Sequence, residues 1–407
     1  MKYIDFIDLN YKPKETDLIC TFRVEPEGIN LKEAAGGVAA ESSVGTWTEL
    51  TTTKPYVEQL AAHVFSIEGN TAKIAYPVEL FEAGNMPNIL SSVAGNVFGL
   101  KALKNLRLND VEFPDQLVHS FKGPQFGIEG IRKLLKVPER PLVGTIIKPK
   151  LGLKTADHAQ VAYEAWSGGC DIVKDDENLS SQSFNPFEER VVQTLESRDK
   201  AEEETGERKV YMVNITAETD TMLKRAEKVL DHGGKYAMVD ILTCGWSALQ
   251  TLRDQNFKLV IHAHRAGHAA FTKNQKHGVS MRVIAKVARI IGVDQLHVGT
   301  VVGKMSETRQ EVLENIDALK MAMGELKQVM PVASGGLHPR LVPALMETFG
   351  KDFIIQAGGG IHGHSDGTRA GATAMRQAVA ATLEGISLEE YAKAHRELEV
   401  ALDLWKE

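Results

Sequence analysis

Gly168-Gly169-Cys170-Asp171-Ile172-Val173-Lys174-Asp175-Asp176-Glu177 joins a short apolar run to one lysine and three carboxylates. Burying a charge is costly, so ionisable residues at the end of a core strand need a partner. Side chains alternate along a strand, which puts Lys174 and Asp176 on one face and Asp175 on the other. Glu177 opens the loop that follows. Two carboxylates at one strand end suit a hard cation such as Mg²⁺, which binds through a few carboxylates, waters and substrate oxygens. A structural lysine–aspartate ion pair reads equally well from these ten residues, and the surrounding chain has to decide.

Outward from this stretch, apolar strand runs alternate with amphipathic helical runs. The strands are expected at 142–148, 171–174, 210–215, 237–242, 259–264, 295–300, 332–334 and 353–356. Helices are expected between them, at 156–166, 188–204, 222–230, 279–290, 309–327, 341–349 and 371–383, with a terminal one at 388–405. Eight strands alternating with helices predict an α/β fold, a closed (β/α)8 TIM barrel, over residues 126–407. The competing architecture is a doubly wound open sheet, and no Gly-x-Gly-x-x-Gly turn follows the first strand to support it. Residues 1–125 read as a smaller α+β N-terminal domain. Its strands are expected at 18–24, 72–81 and 106–113, and its helices at 31–41, capped by Asn30, and 87–93.

Composition narrows the function. At 407 residues, 43% hydrophobic and 25% charged, the chain is an ordinary globular protein. Its net charge of −7 argues against a nucleic-acid partner, which needs a basic surface. Cys20, Cys170 and Cys244 have neither disulfide nor zinc spacing, which points to a reducing, cytoplasmic setting. No basic-then-apolar leader opens the sequence, and no apolar run is long enough to span a membrane.

In a barrel of this kind, function gathers at the C-terminal ends of the strands. Here those ends carry Lys148 and Lys150, then Lys174, Asp176 and Glu177, then His262, His264 and Arg265. The sixth strand holds His297 and leads to Lys304, the seventh ends Ser334-Gly335-Gly336, and the eighth leads to Gly358-Gly359-Gly360. Glycine turns after the last two strands let backbone N–H groups approach a phosphate, although tight strand-to-helix turns account for them too. His262 is expected one layer down and packed, and His264 is expected to face the site. His297 fits a core histidine as well as a functional one. Together these residues describe a metal-assisted enzyme for a phosphorylated sugar, with proton abstraction beside a carbonyl.

The same residues carry a resemblance. Residues 39–48, 95–99, 148–152, 168–177, 264–268, 297–304, 334–336 and 358–360 follow in order the motifs of the RuBisCO large-subunit family, and the wording is most similar to its archaeal, form III branch. The resemblance implies a carboxylase/oxygenase that converts ribulose-1,5-bisphosphate and CO₂ to two 3-phosphoglycerates, with O₂ as the competing substrate. It implies Lys174 as a CO₂-derived carbamate that binds Mg²⁺ with Asp176 and Glu177 and serves as base. Lys148 would protonate the product, with Lys150 in support. Lys304 would close over the new carboxylate. His264 and His297 would handle hydroxyl protons. Arg265, His297, Ser334, Gly335, Gly336, Gly358 and Gly359 would hold the bisphosphate. Glu41, Thr46, Trp47 and Asn96 would reach the site of a second subunit, which implies a homodimer or higher oligomer with shared active sites.

The sequence departs from the family pattern at Ile146, where plant members have Thr, and at Gly267, a usual Met. It departs also in Met305-Ser306-Glu307-Thr308 and in a shortened stretch from there to Ser334. An enolase or isomerase built on the same metal site, acting on another phosphorylated sugar, is the alternative activity. Retention of Lys304, Glu41, Thr46, Trp47 and Asn96 favours the carboxylase.

Overall fold

A computed structural model describes residues 2–48, 50–303 and 307–406. The chain forms two compact units. One comprises Met1–Lys122, Gly267–Ile291 and Ala322–Leu326; the other comprises Gly123–Ala266, Gly292–Met321 and Lys327–Glu407.

The first unit is built on a mixed sheet. Strands β1 (Leu18–Pro26), β2 (His63–Glu68), β3 (Thr71–Tyr76) and β4 (Leu103–Glu112) pair antiparallel in the order β4-β1-β3-β2. Burial alternates along β1, with Leu18, Cys20, Phe22 and Val24 inside, as its period-two pattern requires. The helix Leu31–Glu41 starts where Asn30 accepts a 2.9 Å bond from the Glu33 amide. Two strands escape the sequence reading. β2 is one; its burial pattern shows little alternation. The other is the two-residue β10 (Gly278–Val279), which lies parallel to β4. The strand expected at 72–81 stops at Tyr76, because Pro77 leads into a short 3₁₀ turn at Val78–Leu80.

The second unit is the expected closed barrel. Its strands are β5 (Leu142–Ile146), β6 (Ile172–Lys174), β7 (Val210–Asn214), β8 (Tyr236–Asp240), β9 (Val260–His264), β11 (Gln295–His297), β12 (Met330–Ser334) and β13 (Ile354–Gln356). All neighbours are parallel, and β13 closes the ring on β5 with Ile354 opposite Leu142. The interior is packed from below. Ile128, Ile131 and Leu135 on the helix Gly127–Leu135 join Leu142, Ile172, Val210, Tyr236, Val260, Met330 and Ile354 in one buried cluster. Their spacing puts all three helical residues on one face.

Several boundaries differ from expectation: β5 ends at Ile146 and not at 148, β11 ends at His297 and not at 300, and three others change the element itself. Ile241 and Leu242 are helical, because the chain turns into the short helix Ile241–Cys244 directly after Asp240. The helix begun at Arg309 ends at Lys320. The terminal helix breaks into Leu388–Ala392 and Arg396–Leu404. Among the described residues, no helix is long and apolar enough to cross a membrane.

Candidate active site

The end of β6 behaves as strand alternation demands. Asp175 turns outward into the wall and is fully buried. It accepts bonds from the Tyr211 hydroxyl at 2.6 Å and the Asn214 amide at 3.0 Å, and pairs with Arg190 Nε at 3.3 Å. Burial alone would raise its pKa, but Arg190 and the surrounding hydrogen bonds outweigh that and hold it at about 2. Asp175 is therefore a structural anchor for the strand whose other face carries the chemistry.

On that other face Lys174 and Asp176 are both buried. Lys174 Nζ donates to the Asp175 carbonyl at 2.7 Å and lies 3.4 Å from Glu177 Oε2. Asp176 Oδ2 pairs with Lys148 Nζ at 2.9 Å, and its Oδ1 accepts from the backbone and side-chain nitrogens of Asn178, each at 3.1 Å. Burial pulls the Lys174 pKa below the ordinary lysine range, against the opposing pull of Glu177 and Asp176. Glu177 is pushed up by burial but held at about 2, chiefly by Lys174 and His264.

His264, at the end of β9, lies 3.7 Å from Glu177 through Nε2, while its Nδ1 bonds Asp240 Oδ1 at 2.7 Å. Asp240 escapes the sequence reading because the expected strand runs past it to residue 242; ending β8 at Asp240 makes it one more ionisable strand end. His262 is buried one layer deeper, as expected, but is hydrogen-bonded to His297 at 2.9 Å. His297 also bonds Ser334 Oγ at 2.8 Å through Nδ1, so both of its ring nitrogens are engaged.

Arg265 is buried and pairs with Glu307 at 2.5 Å, leaving its Nη1 buried with no acceptor among the described residues. Gly299 makes room for that pair: a Cβ there would lie 3.1 Å from the Glu307 carboxyl carbon and 3.2 Å from Arg265 Nη2. Gly335 and Gly336 both adopt positive φ, at 117° and 75°, which only glycine accommodates easily. Gly358 abuts Lys148, whose Cε would lie 3.1 Å from a Cβ at that position, and Gly359 opens the short helix Gly359–His362. Lys150 is exposed. Lys304 lies outside the described residues. In the first unit, Glu41 accepts from the Tyr3 hydroxyl at 2.7 Å, Thr46 is half-buried, Trp47 is 81% exposed, and Asn96 begins the 3₁₀ turn Asn96–Gly99.

Residues 127–405 match the family model described as the ribulose bisphosphate carboxylase large chain, catalytic domain, and residues 5–117 match its N-terminal domain. The chain belongs to this family. It is 52% identical to the ribulose bisphosphate carboxylase of Methanocaldococcus jannaschii, over 99% of this chain and 100% of that one. It is 53% identical to that of Pyrococcus furiosus, over 99% and 97%. Among solved structures, an octameric RuBisCO from Pyrococcus horikoshii, determined as a sulfate complex, superposes with a TM-score of 0.96 at 51% identity, over 99% and 96% of the two chains. A dimeric archaeal RuBisCO from Hyperthermus butylicus superposes with a TM-score of 0.93 at 47% identity, over 99% of each. RuBisCO large-chain architecture, with a smaller domain ahead of a catalytic barrel, is thus the fold that the alternating pattern foretold.

A half-buried histidine, His362, makes the stability of this RuBisCO family member depend on pH. His362 bonds Thr145 Oγ1 at 2.9 Å and Thr368 Oγ1 at 3.0 Å, and burial lowers its pKa to about 4. The unfolded chain takes up this proton near pH 6.5 and the folded chain refuses it until about 4. Its contribution is therefore complete above pH 6.5 and is lost as pH falls toward 4. Between pH 7.5 and 4.5 the wild type should lose about 2–3 kcal/mol more unfolding free energy than His362→Gln. Urea titrations of both proteins at the two pH values check this; parallel losses would remove His362 as a cause.

Proposed function

We propose that this chain is a ribulose-1,5-bisphosphate carboxylase/oxygenase that uses Mg²⁺ and a carbamate formed from Lys174 and CO₂. The observation that carries the proposal is the charge arrangement at the end of β6. Two carboxylates, Asp176 and Glu177, face two lysines, Lys174 and Lys148, so the group is balanced as it stands. Among the described residues no three His, Cys, Asp or Glu side chains converge on a metal position. Carbamylation replaces the lysine cation with an anion and frees two protons, one to bare the amine and one as its nitrogen bonds CO₂. Three anions against Lys148 then leave a double negative charge, which a divalent cation neutralises. Burial of Lys174 favours the neutral amine, the form that attacks CO₂.

Bound Mg²⁺ would polarise the substrate's carbonyl and hydroxyl oxygens. Lys174, as its carbamate, would take the C3 proton of ribulose bisphosphate. Lys148, held against Asp176, delivers a proton to the three-carbon product, and Lys150 supports it. His264, oriented by Asp240, exchanges hydroxyl protons. Arg265, with its unspent Nη1, and the amides of Gly335, Gly336, Gly358 and Gly359 receive the phosphates. Glu307 already occupies Arg265, so an arriving phosphate shares or displaces that carboxylate. His297 and Ser334 line the same mouth. Lys304 stabilises the carboxylate formed from CO₂.

Purified protein given ribulose-1,5-bisphosphate, Mg²⁺ and labelled CO₂ should yield two 3-phosphoglycerates per turnover, with label in one of them. Isomerised sugar phosphate without carbon fixation would favour the enolase or isomerase reading, which nothing in the relatives' names supports. Cys20, Cys170 and Cys244 are all free thiols, which suits the cytoplasm.

We propose further that Glu41, Thr46, Trp47 and Asn96 complete the site of a second subunit, in a homodimer or a larger assembly of dimers. Exposure of the Trp47 side chain supports this, since it leaves the ring open to a second subunit. Glu41→Gln and Lys174→Ala should each be inactive alone. Mixed after subunit exchange, they should recover about a quarter of wild-type activity, the statistical yield of one intact site per mixed dimer. No recovery despite proven exchange, or a fully active monomer, would rule out shared sites.

A further inference from the structure

Four buried or half-buried groups form an unbroken hydrogen-bonded line through the upper barrel. Gln295 Oε1 lies 2.9 Å from His262 Nδ1, His262 Nε2 lies 2.9 Å from His297 Nε2, and His297 Nδ1 lies 2.8 Å from Ser334 Oγ. Gln295, on β11, His262, on β9, and His297, on β11, are all buried, and the two rings meet edge-on at 84° with centroids 4.9 Å apart. Only Ser334, at the end of β12, is partly exposed at the mouth. Among the described residues, the side-chain hydrogen bonds of His262 go to Gln295 and His297.

We propose that His262 is a positioning residue that fixes the hydrogen on His297 and thereby makes Ser334 an acceptor for a substrate hydroxyl. An amide oxygen can only accept, so His262 carries its hydrogen on Nδ1. A neutral imidazole then has a bare Nε2, which forces His297 to donate from its own Nε2. His297 Nδ1 is therefore bare, and Ser334 spends its one hydrogen on it. What Ser334 has left for a ligand is lone pairs. A phosphate oxygen carries no hydrogen to give them, whereas a sugar hydroxyl does. Ser334 accordingly reads the sugar backbone, and the glycine amides beside it are left for the phosphate. Burial keeps both rings neutral: it lowers His262 to about 3 and His297 well below the usual histidine range.

The inference rests on the carboxylase reading only in placing Ser334 against substrate; the tautomers are a property of the free protein. Histidine-labelled protein should show, in long-range ¹H–¹⁵N spectra, His262 protonated on Nδ1 and His297 on Nε2, unchanged between pH 6.5 and 9. His262→Gln presents an amide oxygen where Nε2 stood and should keep the His297 tautomer. His262→Leu removes the acceptor and should leave His297 a mixture of tautomers. With ribulose bisphosphate, His262→Leu should raise KM about tenfold with kcat within about threefold, since a ground-state hydroxyl contact is lost, and His262→Gln should restore KM.

If His297 carries its hydrogen on Nδ1, the line runs the other way, Ser334 donates instead, and the proposal is overturned whatever the activity. If the tautomers are as stated but His262→Leu leaves KM unchanged in an active enzyme, His262 is merely structural. Should His262→Leu fail to fold, wild-type tautomers and the KM of His262→Gln still decide: a raised KM in His262→Gln with its His297 tautomer intact also overturns the proposal. An inactive wild type showing the stated tautomers would sink the carboxylase reading and leave the hydrogen-bonded line standing.

Discussion

Lys174→Ala is expected to abolish carboxylation and C3 proton exchange together while leaving the fold intact. The side chain is fully buried but makes few polar contacts, to the Asp175 carbonyl and Glu177. The strand is anchored from its other face by Asp175, Arg190 and Tyr211, which the substitution does not touch. Removing the base removes the first step, so the loss should exceed the roughly 10²–10⁴-fold that a positioned acid or base contributes. A second readout separates chemistry from folding. Wild type incubated with ¹³CO₂ and Mg²⁺ should show a carbamate carbon signal that the variant lacks, with both proteins giving the same circular dichroism. Carboxylation at the wild-type rate, or a carbamate signal that persists in Lys174→Ala, would assign the base elsewhere.

Lys304→Ala is expected to separate two steps that Lys174→Ala removes together. The carboxylate that Lys304 would stabilise exists only after CO₂ has added. Proton removal from C3 needs the base but not this cation. Carboxylation should therefore fall by about 10²–10³-fold, the usual loss for one preorganised charge stabiliser, while C3 proton exchange with solvent continues. Both are measured on one sample, by label fixation and by proton exchange. If both collapse, Lys304 serves substrate binding. If neither changes, Lys304 takes no part in the reaction, and another group stabilises the new carboxylate.

The pairing of Arg265 with Glu307 bears on the same loop. Glu307 stands three residues after Lys304 and holds a guanidinium that is proposed to receive phosphate. Glu307 of the run Met305-Ser306-Glu307-Thr308 carries the carboxylate that fills Arg265.

Much of this was legible in the residues alone. The barrel could be read because alternating burial and amphipathic spacing are local properties, set by neighbours two to four residues away. The polar strand ends could be read because a charge that closes an apolar run must meet a counter-charge, a metal or a ligand. Lys174 with Asp176 and Glu177 stood out for that reason. The order of the family motifs then fixed the family.

What the residues could not show depends on register between strands far apart in sequence. Asp240 belongs to the site because β8 stops there, opposite His264. His262 and His297 meet because β9 and β11 pair with Gln295 opposite His262. The one-residue shift that would break this pairing changes nothing in either strand's local pattern. Arg265 and Glu307 lie in segments separated by two helices and two strands, and nothing in either predicts the ion pair. The segment 267–291 reads as part of the barrel's alternation, yet it groups with the N-terminal unit, because Gly278 and Val279 pair with β4. Sequence determines which residues can be buried or charged at an element's end. Tertiary closure decides which of those ends face one another, because only there do distant backbones compete for the same hydrogen bonds and the same space.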